Sequence, residues 1–327
     1  MLLKKDIFIK QIILPSSSAC PVCGASCNQA HILTASLLRN AYEAYFSDRC
    51  PLNAVPDDIF HVECTRCGLE FCLRPEIPKD FYPWVVQFPS YYPEHRPEWD
   101  LILSELASIG RQVSVLEVGC GSGILLKKIS TLTNVNAVGI DTSEFAIQKC
   151  KLQNLIAIHT DLQTYLNNPP SDLPQNFDFI VGSHVLEHVE KPVELLRDCL
   201  DLLKTGGSIL MSLPLSPNDH ERTMFDPILY PPHHLTRWKK NTFLSLGKTL
   251  GTKVTLMSAK RRSPLRALSH SMFCALYYNH LSISIWSRIQ LFLRQPIYWT
   301  GEAFWQILRR VSGDIVSDHI LLKLAKR

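Results

Sequence analysis

The chain has 327 residues, which leaves room for one α/β domain of ordinary size and about 130 further residues. Its formal net charge is only +4, and no basic run exceeds Lys260–Arg262, so no strong field for nucleic acid is expected. Charged residues interrupt the apolar N-terminus, and no stretch reaches 18 uncharged apolar residues. We therefore expect neither a signal peptide nor a transmembrane helix, and we expect a cytoplasmic protein.

Two cysteine knuckles of the form C-x-x-C-G stand near the N-terminus, at Cys20-Pro-Val-Cys23-Gly and Cys64-Thr-Arg-Cys67-Gly. Each knuckle brings two thiolates to one point, and the glycine allows a left-handed turn after the second cysteine. Four thiolates form a closed tetrahedral set, which favours structural zinc bound by Cys20, Cys23, Cys64 and Cys67. A redox C-x-x-C pair is the alternative, although it needs only one knuckle.

Further segments complete the first hundred residues. Residues 32–46 have apolar spacing typical of a helix, which predicts a helical excursion between the knuckles. The cysteines outside the knuckles are interpreted as small buried hydrophobic residues: Cys27, Cys50 and Cys72. We assign residues 1–80 to a zinc-binding module and residues 81–100, rich in proline and tyrosine, to an irregular aromatic linker.

A glycine-rich turn follows the linker, in the segment Val115–Gly123, which reads VLEVGCGSG. The apolar residues before the glycines predict a buried strand, and residues 124–129 predict the helix that follows. Asp141 ends the next apolar run, where an acid can accept hydrogen bonds from both ribose hydroxyls. A dinucleotide loop has the spacing G-x-G-x-x-G, whereas here Ile124 takes the place of the third glycine. Glu117 adds negative charge, which favours a cationic ligand over a diphosphate.

These motifs resemble the class I methyltransferases that use S-adenosylmethionine (SAM), whose first motif has an acid two residues before a G-x-G-x-G run. The resemblance implies a Rossmann-like α/β fold with a seven-stranded, mostly parallel sheet, formed by residues 101–261 and a last strand at 317–327. The later segments 177–192 and 202–214 match the fourth and fifth strands of that fold. The resemblance implies a SAM site made of Glu117, Gly119, Cys120, Gly121, Gly123, Asp141, Thr142, Asp161, Leu162, Ser183 and His184.

The combination of zinc module, aromatic linker and SAM domain is similar to bacterial sugar C-methyltransferases and their uncharacterised relatives. In that subgroup the aromatic linker covers the active site, so Tyr91 and Tyr92 are candidate contacts, with ordinary packing as the alternative. The subgroup carries a Glu-His pair ahead of the helix predicted near Trp238. Here His233 stands in place of the glutamate and His234 matches the histidine. His234 is thus the candidate base, with His233 pointing elsewhere, and a purely structural role is the alternative.

Residues 262–316 are predicted to form a helical insertion whose role stays open between a lid, a dimer interface, a membrane-surface contact and ordinary packing. The main functional hypothesis is methyl transfer from SAM to a small molecule, such as a sugar or a glycan precursor. The alternatives are a SAM-fold scaffold without catalysis and a nucleic-acid methyltransferase. The sequence after the fourth strand reads GSHV instead of the (D/N)PP(Y/F) motif of nucleic-acid enzymes, which weighs against the last one. The oligomeric state is left open.

Overall fold

A computed structural model describes residues 11–73, 76–88, 91–218, 221, 225–258 and 319–326 of the chain. The predicted helical insertion at residues 262–316 lies outside these described residues. Within them, no helix is long and apolar enough to cross a membrane.

Four N-terminal strands and one later strand form a five-stranded sheet in the order β1-β2-β3-β4-β10, which we call the N-terminal sheet; its paired strands are all antiparallel. A helix (α1, Ala35–Phe46) leaves the sheet after β2 and begins at Thr34, whose side chain accepts a hydrogen bond from the amide of Leu37. The predicted helical excursion is thus confirmed from residue 35, since residues 32 and 33 still belong to β2. The strands are β1 (Gln11–Ala19), β2 (Ser26–Leu33), β3 (Ile59–Glu63), β4 (Glu70–Cys72) and β10 (Thr236–Arg237).

The second sheet has seven strands in the order β11-β12-β9-β8-β5-β6-β7. Only β12 runs against its neighbours, so the predicted seven-stranded, mostly parallel sheet is confirmed. Every residue of β5 is buried, because helices cover both faces of a parallel sheet. The strands are β5 (Val113–Val118), β6 (Val135–Asp141), β7 (Ala157–His159), β8 (Phe177–Ser183), β9 (Leu203–Pro214), β11 (Lys253–Ser258) and β12 (His319–Ala325).

Six of the described helices accompany this sheet, and their starts follow ordinary capping chemistry. Ser143 caps α5 and Asp161 caps α6 through their side-chain oxygens. Proline stands at the first position of α3 and α7, where no backbone donor is needed. The helices are α3 (Pro97–Ala107), α4 (Ile124–Ser130), α5 (Glu144–Leu152), α6 (Leu162–Asn167), α7 (Pro192–Leu202) and α8 (Lys240–Leu250).

The segment predicted to be an irregular linker is partly helical. A short helix, α2 (Phe81–Val85), precedes Tyr91 and Tyr92, and α3 begins at Pro97. The apolar side chains of Phe81 and Trp84 pack against Tyr42 of α1, and this burial orders a segment whose prolines alone favour a loop.

The N-terminal sheet and the seven-stranded sheet share one hydrophobic core, whereas a separate module at residues 1–80 would have a core of its own. Cys67 and Phe71 belong to the same cluster of buried residues as Leu116 and Phe243. The module is joined to the larger sheet because β10, which follows β9 in the chain, pairs with β4 and completes the N-terminal sheet. Side chains of α8 also donate hydrogen bonds to the knuckle backbone, at the carbonyls of Val22 and Cys67.

Candidate functional site

A cavity of about 1090 Å³ lies at the carboxyl ends of β5, β6 and β8, where a parallel sheet of this kind binds ligands. We call it the central cavity. Its wall contains all the residues of the predicted SAM site except Gly123: Glu117, Gly119, Cys120, Gly121, Asp141, Thr142, Asp161, Leu162, Ser183 and His184. The two histidines proposed as base and neighbour, His233 and His234, line the same cavity.

The glycine loop between β5 and α4 needs glycine for conformation and for space. Gly119, Gly121 and Gly123 all have positive φ, at 67°, 53° and 82°. A Cβ atom at Gly119 would lie 2.7 Å from a methyl group of Val185, and one at Gly121 would lie 3.3 Å from the ring of Tyr92. The loop backbone therefore approaches the opposite wall more closely than any other residue type allows.

Asp141, at the end of β6, holds this loop in place. Its carboxylate accepts hydrogen bonds from the amide of Gly121 and from the amide of Ser143, each at 2.8 Å. Each carboxylate oxygen keeps a further lone pair, so the side chain can also accept ligand hydroxyls from the cavity.

Glu117 is a buried carboxyl group in the wall of the cavity. Only 2% of the residue is exposed, and its Oε2 has no hydrogen-bond partner among the described residues. Burial, with the nearby charge of Asp141, raises the pKa of Glu117 well above its usual value. A buried acceptor without a partner is costly, so this oxygen fits a site whose ligand supplies a donor or positive charge.

The other predicted cofactor residues have local partners. Asp161 is exposed and caps α6, with both carboxylate oxygens accepting from Thr164 at 2.8 and 2.7 Å, and its contact with adenine stays a prediction. Ser183 accepts a hydrogen bond from the indole of Trp99 at 2.7 Å. The carbonyl of Thr142 lies 3.0 Å from His159 Nε2.

His184 lies between two buried carboxylates. Its Nε2 is 2.8 Å from Glu98 Oε1, and its Nδ1 is 3.0 Å from Glu187 Oε1. Burial and the charge of Arg96 lower the pKa of His184, but the two carboxylates outweigh both and raise it. The residue has a φ of 55°, a conformation that a non-glycine residue adopts only where its surroundings hold it. His184 is therefore an imidazole of the cavity wall whose orientation the two carboxylates fix.

His233 and His234 do not point in different directions, which corrects the sequence expectation. Their amides both donate to the carbonyl of Tyr230 at 3.1 Å, and this tight turn stacks the rings, with centroids 4.8 Å apart. Both rings face the cavity together with His188. Burial, followed by the neighbouring imidazoles, lowers the pKa of His234 well below its usual value, and burial lowers that of His233 to about 3.

Aromatic side chains of the linker cover the cavity. Tyr91 and Tyr92 meet edge to face at 4.9 Å, and the Tyr91 hydroxyl lies 3.2 Å from His233 Nε2. Burial raises the pKa of Tyr92 to about 12, so its hydroxyl stays protonated beside the glycine loop.

The four knuckle cysteines form one cluster away from this cavity. Their sulfur atoms all lie within 4.8 Å of one another, and the pairs Cys20–Cys67 and Cys23–Cys64 are each 3.6 Å apart. Four sulfurs bound to one zinc ion at about 2.3 Å lie about 3.8 Å apart, so the spacing fits that metal. The hydrogen bond that Cys20 and Cys67 share lowers the pKa of Cys20 to about 5 and raises the pKa of Cys67.

Both knuckles have the same backbone turn. The amides of Gly24 and Gly68 donate to the carbonyls of Cys20 and Cys64 at 2.9 and 2.8 Å, and both glycines have positive φ. The predicted left-handed turn is confirmed in both knuckles. Cys27 is buried outside the four-sulfur cluster, as expected of a small hydrophobic residue.

Sequence reasoning missed three residues of the cavity wall or its support. Glu98 and Arg96 belong to a segment that was predicted to be a linker, and His319 comes from the last strand. One sequence signal could have indicated these residues. Each is a charged or titratable residue within or beside an otherwise apolar pattern that predicts a buried strand or helix.

The fold and the glycine loop are those of a Rossmann-like α/β protein with a seven-stranded sheet. The sequence profile of the methyltransferase domain family matches residues 92–255, half of the chain, and the chain belongs to this family.

Two curated relatives are ubiquinone biosynthesis O-methyltransferases. The protein from Proteus mirabilis is 32% identical over 101 residues, which is 30% of this chain and 40% of that protein. The mitochondrial protein from Candida albicans is 36% identical over 104 residues, which is 31% of this chain and 32% of that protein. The chain thus spans well under half the length of these relatives.

Solved structures of similar fold include a SAM-dependent methyltransferase from Archaeoglobus fulgidus. It is 17% identical, with a TM-score of 0.47 over 75% of this chain and 100% of its own. The plantazolicin methyltransferase BpumL in complex with SAH is also 17% identical, with a TM-score of 0.46 over 76% of this chain and 91% of its own.

Proposed function

We propose that this chain transfers the methyl group of SAM to a hydroxyl oxygen of a small molecule. The observation that carries the proposal is the central cavity, where the glycine loop, Asp141 and the unpartnered oxygen of Glu117 meet at the edge of the sheet. Family membership and the names of the curated relatives support methyl transfer, and those names support an oxygen acceptor.

The SAM site proposed here uses charge and close approach. Asp141 accepts hydrogen bonds from the ribose hydroxyls, and the unpartnered Oε2 of Glu117 accepts a hydrogen bond from the cationic amino acid end of the ligand. Gly119 and Gly121 line the cavity, where no Cβ atom keeps a ligand away from the backbone. SAM, when bound, supplies a methyl group on a sulfonium sulfur.

The acceptor oxygen attacks this methyl carbon in line with the carbon–sulfur bond. As that bond breaks, its electron pair returns to sulfur and leaves neutral SAH, and the acceptor loses one proton. His234 lines the cavity and stays neutral at physiological pH, so it can accept this proton.

The test combines binding and turnover. Calorimetry should show SAM binding, and mass spectrometry should detect SAH when the protein is incubated with SAM and a panel of phenols, catechols and nucleotide sugars. Methylation of a phenol or catechol is expected. Methylation of only the nucleotide sugars would instead support the sugar acceptor that the sequence suggested, and SAM binding without SAH formation would support a scaffold.

The four-cysteine cluster is a second part of the proposal. We infer that Cys20, Cys23, Cys64 and Cys67 hold one structural zinc ion, since the sulfur spacing fits and four protein ligands leave no open position for catalysis.

A further inference from the structure

Three histidines converge in the wall of the central cavity. His188 comes from the short turn after β8, and His233 and His234 come from the loop that precedes β10. Their ring centroids lie 4.6 to 4.8 Å apart, and one ring nitrogen of each lies within 4.8 Å of the other two. We call these residues the histidine triad. It shares no residue with the four-cysteine cluster.

Backbone contacts set the orientation of two of the three rings. His188 Nδ1 is 2.7 Å from the carbonyl oxygen of His233, and His233 Nδ1 is 2.6 Å from that of Ile228. A carbonyl oxygen only accepts, so each Nδ1 carries the hydrogen and each Nε2 keeps a lone pair. Histidines that bind metals show this same arrangement, with the distal nitrogen donating to a backbone carbonyl.

The third ring is free to bind. In the part of the chain that the structure describes, no hydrogen bond engages either nitrogen of His234, although the residue is 95% buried and faces the cavity. Among the described residues, Tyr91 is the one side chain with a hydrogen-bond contact to a triad lone pair, since its hydroxyl lies 3.2 Å from His233 Nε2. That hydroxyl rotates freely about its C–O bond and can donate elsewhere.

Negative charge lies next to the triad. Glu187 precedes His188 in the same turn, is fully buried, and has no hydrogen-bond partner for Oε2 among the described residues. A divalent cation held by three neutral imidazoles would be partly balanced by this carboxylate.

A second group in the cavity wall, Glu98 with His184 and His319, is less suited to a cation. Its Glu98 and His184 already pair at 2.8 Å, and the guanidinium of Arg96 lies 3.1 Å from the same His184 nitrogen. A metal ion there would meet an existing positive charge.

We propose that His188, His233 and His234 bind one divalent transition-metal ion, with an open coordination position facing the central cavity. Three imidazoles suit zinc, iron(II), cobalt or nickel, and a set of three protein ligands leaves the fourth position to water or to a substrate oxygen. The role of that position rests on the proposed function. With the lone pair of His234 bound to the metal, water would take the place of His234 as proton acceptor. The acceptor hydroxyl would bind the metal, become more acidic, and release its proton to water before it attacks the methyl group.

Metal binding itself is tested without SAM and without an acceptor, so its failure is distinct from failure of methyl transfer. Protein free of any polyhistidine tag is purified with its thiolate-bound metal, which elemental analysis counts. Titration with Co²⁺ should then show one further equivalent per chain. The bound ion should give weak visible d–d bands without the near-ultraviolet charge-transfer bands of cobalt thiolates.

Variants assign this second equivalent. His188→Ala and His234→Ala should abolish it and keep the thiolate-bound metal, whereas His95→Ala, a half-exposed histidine that does not line the cavity, should change neither. Tyr91→Phe should keep the site. X-ray absorption of the cobalt-loaded wild-type protein should count three imidazole ligands, which makes the result independent of how the variants fold. The proposal would be overturned if the wild-type protein bound no Co²⁺ beyond the thiolate-bound metal at saturating Co²⁺. It would also be overturned if both triad variants still bound the second equivalent of Co²⁺.

Discussion

Arg237 of β10 donates a hydrogen bond to the carboxylate of Glu70 on β4, and both side chains are almost fully buried. The same guanidinium donates to Glu221 at 2.6 Å and lies 3.8 Å above the ring of Tyr230. Glu70 also lies 3.1 Å from Lys239 Nζ. One arginine therefore joins the N-terminal sheet to the methyltransferase domain through a buried charge network.

Removal of this arginine should be costly. Arg237→Ala leaves two buried carboxylates without their main partner, so we expect a loss of about 3–5 kcal/mol in the free energy of unfolding. Urea denaturation followed by circular dichroism measures it. Arg197→Ala, which changes an exposed arginine on α7, should stay within about 0.5 kcal/mol of the wild type. Equal stability of the two variants would show that the network contributes little.

Loss of one knuckle thiolate should affect the whole molecule. Cys64→Ser should lower the bound zinc from about one equivalent to well below it, and because the two parts share one core, it should also lower the melting temperature of the methyltransferase domain. Elemental analysis and calorimetry give the two values. Cys50→Ser, a buried cysteine outside the cluster, is the control for zinc content. An unchanged melting temperature in the zinc-free variant would contradict the shared core.

Asp141→Ala should weaken SAM binding. The ribose hydroxyls lose a charged acceptor worth about 1.5–3 kcal/mol, which corresponds to a factor of roughly 10 to 150 in the dissociation constant. Isothermal titration calorimetry measures this directly, and Asp100→Ala, an exposed aspartate on α3, is the matched control. A wild-type protein that binds NADH and not SAM would disprove the cofactor assignment.

His234→Ala should reduce turnover of whichever panel acceptor is methylated by about 10²–10⁴-fold and leave SAM affinity nearly unchanged. His234 faces the cavity but is separate from the glycine loop, so we expect its loss to affect turnover and not SAM affinity. Rates with saturating SAM give the turnover, and calorimetry gives the affinity. Full activity in the variant would exclude both roles considered for His234, as base and as metal ligand. The metal content of the variant separates those two roles.

Asp178 provides a pH-dependent contribution to stability. Burial alone raises the pKa of this carboxyl group, but hydrogen bonds from Lys204, Ser114 and Arg111 outweigh burial and hold the pKa below its usual value. A carboxyl group with a lower pKa in the folded state stabilises the protein above its unfolded pKa, and this contribution is lost as the pH falls through the folded pKa.

Asp178→Asn should therefore cost about 1–3 kcal/mol at pH 7, and the difference from the wild type should shrink below about pH 4. Urea denaturation at a series of pH values measures both effects. Asp172→Asn, which changes an exposed aspartate nearby in sequence, should show neither. A difference that stays constant down to pH 3 would mean that the ion pairs do not shift this pKa.

The features that could be predicted from sequence are local in the chain. The glycine loop, the strand before it and the acid of β6 lie within 30 residues, and their pattern of buried runs and glycines determines their placement. The two knuckles carry their own turn chemistry, so each could be identified separately. The prediction that the two knuckles lie together required only one further premise, that four thiolates bind a single metal ion.

The features that were missed depend on contacts between distant segments. The strand β10 has only two residues, too few for any periodic pattern, and its partner β4 lies more than 160 residues earlier. The shared core follows from that pairing. His233 was expected to face away because its neighbour was assigned the catalytic role, but a tight turn at Tyr230 places both rings on one side.

The pairing of β4 with β10 also constrains how the molecule can form during synthesis. The ribosome releases the knuckles and β1 to β4 long before Arg237 emerges, so the N-terminal sheet waits with an open edge and with the carboxylate of Glu70 lacking its arginine. Contacts between such distant residues form late in folding. We expect the nascent N-terminal segment to be a client for chaperones until the strand that closes its sheet has left the exit tunnel.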